Sequence, residues 1–149
     1  SAQPKLTYGI TNTFRYKNLD LSFFLRGTIG NDILNATRMA YAQSGFLPGT
    51  NALDDPLTYT LSETPRFSNY YLEKGSFMRL DNLPLGYKLK TLNGIRVYFT
   101  AQNLFVITKY KGLDPEVPMD SGDGLTPGVE PREFYPKART FSVGLNLNF

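Results

Sequence analysis

The chain has 149 residues, enough for one domain, and contains no cysteine and no histidine. Those absences exclude disulfides, thiolate chemistry, Ser-His and Cys-His nucleophile pairs and histidine-ligated zinc. Sixteen Lys and Arg stand against thirteen Asp and Glu, a net +3 with no basic block and so no nucleic-acid footprint, and no run reaches the roughly 18 apolar residues of a membrane-spanning helix. Aromatic residues, all Phe or Tyr, make up 14% of the chain. Any membrane role therefore rests on alternating strands.

The opening Ser1-Ala-Gln-Pro-Lys5 carries no basic-then-apolar signal, so an exported protein is expected to be longer, with this chain as its tail. A first strand is predicted over about 5–16, with Leu6, Tyr8, Ile10, Phe14 and Tyr16 on one face and Thr7, Gly9, Thr11, Thr13 and Arg15 on the other. A second, about 19–28, sets Leu19, Leu21, Phe23 and Leu25 against Asp20, Ser22 and Arg26. Only Lys17-Asn18 separates the two, a two-residue hairpin turn in which Asn suits a positive φ.

From about 30 to 75 the alternation stops and turn formers gather; the spacing allows one short helix over about 32–42, capped by Asn31 or Asp32 and stopped near Gly45. Strands resume at about 77–89 and 94–108, joined by Lys90-Thr-Leu-Asn-Gly94. In the first of these Leu83, Leu85, Tyr87 and Leu89 share a face with Arg79 and Asp81, a conflict that a β-bulge, or a strand end rising beyond the hydrocarbon, would resolve. In the next, Ile95, Val97, Phe99 and Ala101 oppose Arg96, Tyr98, Thr100 and Gln102. A second insertion, about 109–137, holds five prolines and four glycines. The last strand, about 138–149, alternates without a break, with Phe141, Val143, Leu145, Leu147 and Phe149 on one face.

Short, long, short and long connections between consecutive antiparallel strands put both turns at one end of a sheet and both insertions at the other. Strands of about ten residues, apolar on one face, with that asymmetry are expected of an outer-membrane β-barrel. Eleven of the thirteen carboxylates fall outside the strands, leaving only Asp20 and Asp81 within them. Tyr8, Tyr16, Tyr87, Tyr98 and Phe149 are candidates for the interfacial aromatic girdles. A soluble β-sandwich binding module has the same period and remains the alternative, as does another outer-membrane barrel, a porin or an adhesin.

Three runs resemble a known family. They are Gly75-Ser-Phe-Met-Arg-Leu-Asp-Asn-Leu-Pro-Leu-Gly-Tyr87, residues 96–117 with Ala101-Gln-Asn-Leu-Phe105 and Tyr110-Lys-Gly-Leu-Asp-Pro115, and Tyr135-Pro-Lys-Ala-Arg-Thr-Phe141 continuing to Phe149. Together with Pro4-Lys-Leu-Thr-Tyr-Gly9 and Gly27-Thr-Ile-Gly-Asn-Asp32, they look like the C-terminus of SusC/RagA-type TonB-dependent outer-membrane transporters of Bacteroidetes. The resemblance implies the last five strands of a 22-stranded, plugged barrel. It further implies import of oligosaccharides or peptides, a SusD-like surface lipoprotein as lid, outer-membrane lipid around the barrel, and energy from the TonB complex through an N-terminal part that this chain lacks. No cofactor and no enzymatic activity are expected. Phe149 resembles the terminal aromatic read by the insertion machinery.

Four carboxylates, Asp114, Glu116, Asp120 and Asp123, form a glycine-containing run with the look of a calcium loop but without EF-hand spacing, and a solvated outer loop is the favoured reading. Tyr41, Tyr59, Tyr70 and Tyr71 are candidates for stacking on substrate or burying against a lid, and Arg96 and Tyr98 for facing the lumen. Asn35-Ala-Thr37 is a glycosylation triplet of a kind common by chance.

Overall fold

The computed structural model describes residues 1–45, 47–59, 66–90, 94–116, 126–130 and 135–147. Among the described residues no helix is long and apolar enough to cross a membrane. The chain divides into two compact units, one of strands (Leu6–Thr28, Phe77–Thr108 and Lys137–Phe149) and one of the segments between them (Ser1–Lys5, Ile29–Ser76 and Lys109–Pro136).

The strand unit is one antiparallel sheet. Its members are β1 (Leu6–Tyr16), β2 (Leu19–Ile29), β5 (Phe77–Lys88), β6 (Arg96–Thr108) and β7 (Thr140–Asn146), in the order β1-β2-β5-β6-β7. β6 and β7 are each shorter at the start than alternation suggested, because pairing begins only at Arg96 and Thr140. In the first turn the left-handed residue is Lys17 (φ 53°), not Asn18. Asn18 instead donates its side-chain amide to the carbonyl of Lys88 at 2.7 Å, joining the turn to β5. Thr28 pairs with Phe77 and Phe77 with Thr108, so the sheet ends that feed the two long segments lie together.

The faces of β5 are set by a bulge. Phe24 pairs with Asn82 and Leu25 with Leu80, so Asp81 is the extra residue and the alternation of β5 inverts there. Leu83, Leu85 and Tyr87 then share a face with Leu80 and Met78, while Arg79 turns to the opposite face and is only 1% exposed. β6 answers with its own irregularity between Gln102 and Phe105, where Asn103 takes φ 52°, a conformation Asn tolerates better than most residues.

One face is consequently apolar and open. Ile10, Phe14, Phe99, Ile107, Phe141, Val143 and Leu145 lie on it with exposures between 36% and 76%. Phe99 and Phe141 stack at 6.1 Å across β6 and β7, and Phe14 and Phe23 meet at the same distance, tilted by 30°, across β1 and β2. The polar face is threaded by two close approaches over glycine. Tyr98 on β6 lies across Gly144 of β7, and Arg96 across Gly86 of β5; a Cβ at either glycine collides with the side chain above it. Tyr98 therefore belongs to the polar face and not to an aromatic girdle on the apolar one.

The segment unit is not a pair of free loops. β3 (Asp32–Leu34) pairs antiparallel with β4 (Leu72–Lys74), and Leu34 forms a parallel bridge to Val129. The predicted helix over 32–42 is shorter, α1 (Ala36–Tyr41), because residues 32–34 are taken by β3. Its cap is Asn35, whose side chain accepts from the Arg38 amide at 2.8 Å. Asn35 is 2% exposed, which leaves the glycosylation triplet no access. Ala42, Leu57 and Tyr71 make a small apolar core with Leu34 and Met39 against it, and Ile33 packs with Tyr110.

Replacing Gly144 with Val puts a branched side chain under the Tyr98 ring, an overpacking that costs about 1–3 kcal/mol. Guanidinium unfolding of the intact native polypeptide in detergent is expected to show that loss, and Tyr98→Ala in the same chain to recover part of it; an unchanged midpoint rules out the close approach.

Candidate functional site

On the polar face of the sheet, charge is paired across strands. Arg96 Nε donates to Asp20 at 3.1 Å, reaching over Gly86 from β6 to β2, and its guanidinium lies 5.8 Å from the Tyr98 ring. The two residues expected to share a face, Arg96 and Tyr98, do so side by side. Nearer the other end Arg26 donates from Nε to Asp81 at 3.0 Å, which is why the bulged carboxylate turns to this face. Arg79 is held by Asn103, whose side-chain amide donates in turn to the carbonyl of Lys137 at 2.6 Å. The face is thus crossed by three anchored guanidiniums.

The segment unit is organised by two carboxylates and one guanidinium. Glu130 is fully buried and accepts from the backbone amides of Thr37 at 3.3 Å and Leu113 at 3.2 Å. Glu73 accepts from the Asn35 side chain at 3.3 Å with one oxygen and from the Lys111 amide at 2.8 Å with the other. Arg38 donates to Asp55 at 2.9 Å and reaches Glu73 at 3.5 Å, with its guanidinium 5.6 Å from the Tyr70 ring. Both long segments are therefore gripped by the same few side chains. Burial pushes the Tyr110 hydroxyl well above the usual phenol range, with the Glu130 carboxylate beside it adding to the shift.

Of the four tyrosines singled out, Tyr70 is the most available, 57% exposed and edge-on to Tyr71 at 5.6 Å. Tyr41 is exposed at the end of α1. Tyr71 is 4% exposed and packs in the core with Ala42 and Leu57, so its ring offers no contact surface. The Tyr59 side chain lies outside the described residues. Asp120, Asp123 and Phe149 lie outside them as well. Asp114 is 4% exposed and accepts the amide of Glu116 at 2.9 Å, a turn-closing role. Among the described residues no group of carboxylates is placed to hold a metal ion.

Sequence reasoning missed Arg38, Glu73 and Glu130. The partners of Glu130 include Thr37, 93 residues away, and no local pattern signals such a pairing.

No protein-family model matches the chain. Over 157 aligned residues it is 38% identical to the TonB-dependent receptor SusC of Bacteroides thetaiotaomicron, covering 95% of this chain and 15% of that protein. It is 35% identical to the TonB-dependent receptor P3 of Formosa agariphila, over 98% of this chain and 16% of the relative. Among solved structures, a chain of the RagAB peptide importer in its closed-closed state superposes with a TM-score of 0.74 at 27% identity, covering 97% of this chain and 17% of that one. The antiparallel sheet and its connecting segments align almost end to end with these proteins, which puts the chain in the class of TonB-dependent receptors. Within that class the chain belongs to the SusC/RagA type. It spans about one sixth of the length of the relatives it matches.

Two outcomes follow for the segment unit. Glu130→Ala leaves the amides of Thr37 and Leu113 without their acceptor, at a cost of about 1–3 kcal/mol. Hydrogen exchange of the intact receptor is expected to quicken about tenfold or more at both amides together, and a change confined to one refutes the shared grip. The second outcome concerns pH. The Arg38 guanidinium bonded to Asp55 holds that carboxyl below its ordinary 3.8. A carboxyl depressed in the folded state contributes stability that is full above the unfolded value and lost as pH falls through the folded one. Pepsin cleavage within 47–59 should therefore rise between about pH 5 and about pH 3, and Arg38→Gln should show raised cleavage already at about pH 5.

Proposed function

We propose that this chain is the C-terminal part of the barrel of a TonB-dependent outer-membrane transporter that imports oligosaccharides or peptides. The single observation that carries the reading is the open apolar face of the five-stranded sheet. Val143 is 76% exposed and Leu145 62%, and side chains of this kind in unbroken rows need a hydrocarbon solvent or a covering layer. A soluble sandwich would bury those positions, which counts against that alternative.

In this reading the five strands are the last of 22, the apolar face meets lipid, and the polar face with Arg96 and Tyr98 lines the lumen. The two long segments stand outside the cell, where Tyr41 and Tyr70 contact substrate or a SusD-like lipoprotein lid. Phe149 carries the insertion signal, and the TonB complex acts through the plug-bearing part of the receptor. The relatives support transport: one is named SusC, and the aligned solved structure is titled a peptide importer. The segments contribute walls and contacts, not catalysis.

The test is a mass. The native polypeptide carrying Leu145-Asn-Leu-Asn-Phe149 is expected in the outer-membrane fraction, with mobility that changes on heating and a denatured mass several times 16.8 kDa. Recovery at 16.8 kDa from the soluble fraction overturns the reading.

A further inference from the structure

At the end of the sheet that carries the short turns, Arg15, Lys17, Lys88 and Arg96 surround Asp20 in one open cup. Four cations against one carboxylate leave an excess of three positive charges, as large as the formal net charge of the whole chain, +3. The remaining twelve cations and twelve carboxylates of the chain cancel in sum.

The arrangement is unfavourable as it stands. Lys88 and Arg96 are directly paired across β5 and β6 on the same face, and like charges opposed in this way destabilise a sheet. Asp20 is already committed to Arg96. Among the described residues no carboxylate lies at ion-pair distance from Arg15, Lys17 or Lys88. In the sequence, residues 91–93 are Thr, Leu and Asn, none of them an acid. Arg96 is also held in place, lying over Gly86 and beside Tyr98 and bonded to Asp20. Arg15 and Lys88 are exposed and have no such anchor.

We propose that this cup is a site for an anionic group, a carboxylate or a phosphate. The forked guanidinium of Arg15 suits such an oxyanion in planar contact, Lys88 adds a point charge, and Arg96, whose Nε and Nη2 are held by Asp20, adds to the positive field. Two sources present that chemistry: an acidic side chain from another part of the same polypeptide, and a diffusible anion passing along the polar face, where rings of Arg and Lys favour anions. The inference rests on the polar face lining an interior, the reading given under Proposed function.

The experiment uses the intact receptor in detergent, as wild type and as the double variant Arg15→Gln with Lys88→Gln, which leaves the Arg96–Asp20 pair alone. Heat-modifiable mobility is checked first, because its absence in the wild type refutes the barrel reading and not the cup. Where the double variant does not insert, the single variant Lys88→Gln takes its place. Calorimetric titration with inorganic phosphate at low ionic strength and the salt dependence of Tm are then compared. A diffusible anion is shown by phosphate binding in the wild type that weakens at least tenfold in the variant. An acidic group of the polypeptide is shown by no phosphate binding, a Tm lower by several degrees in the variant, and a flatter salt dependence. Equal phosphate affinity in both proteins, or no binding together with an unchanged Tm and salt dependence, overturns the proposal.

Discussion

The bulge at Asp81 is the constraint on which the two-faced character of the sheet depends. A strand of regular pleat running through β5 would place Arg79 among Leu83, Leu85 and Tyr87. On a lipid-facing surface a cation costs roughly 2–4 kcal/mol at mid-depth. One extra residue inverts the alternation, sends Arg79 to the polar side with Asn103, and brings Leu80 and Met78 into the apolar row. The bulged carboxylate is then in reach of Arg26. A single local irregularity thus keeps the apolar face free of charge along the length of β5 and puts two arginines to use on the other side.

The polar face solves a different problem, since large side chains must lie flat against a pleated surface. Glycine provides the room. Tyr98 rests on Gly144 and Arg96 on Gly86, so each reaches beyond its own strand, and Arg96 ties β6 to β2 across the strand between them. The Tyr98 contact is the one that bears on β7, which pairs with β6 in the described sheet and leaves Gly144 under the ring.

The long segments follow the logic of a small protein and not that of flexible loops. Their apolar core is slight, so buried carboxylates take over part of the work by satisfying backbone amides. Glu130 and Glu73 each accept from the stretch 111–113 and from the neighbourhood of α1, and Arg38 neutralises the acid that gathers there.

Alternation alone determined the five long strands, their antiparallel order and the common end shared by both insertions, because a period of two and connection lengths are written locally. It also exposed the misfit of Arg79 and Asp81, which left a bulge or a strand end beyond the hydrocarbon as explanations, and pairing with β2 decided for the bulge. The three family-like runs, 75–87, 96–117 and 135–149, were likewise legible from order and wording. Tertiary structure decided what depends on distant partners. Residues 32–34 turned from helix to strand because Leu72–Lys74 and Val129 offered pairing. Tyr71 went to the core while its neighbour Tyr70 stayed outside, and Glu130 became the centre of a unit whose other members lie far away in sequence. Side-chain burial and long-range hydrogen bonds are set by which segments meet, and no local pattern encodes that meeting.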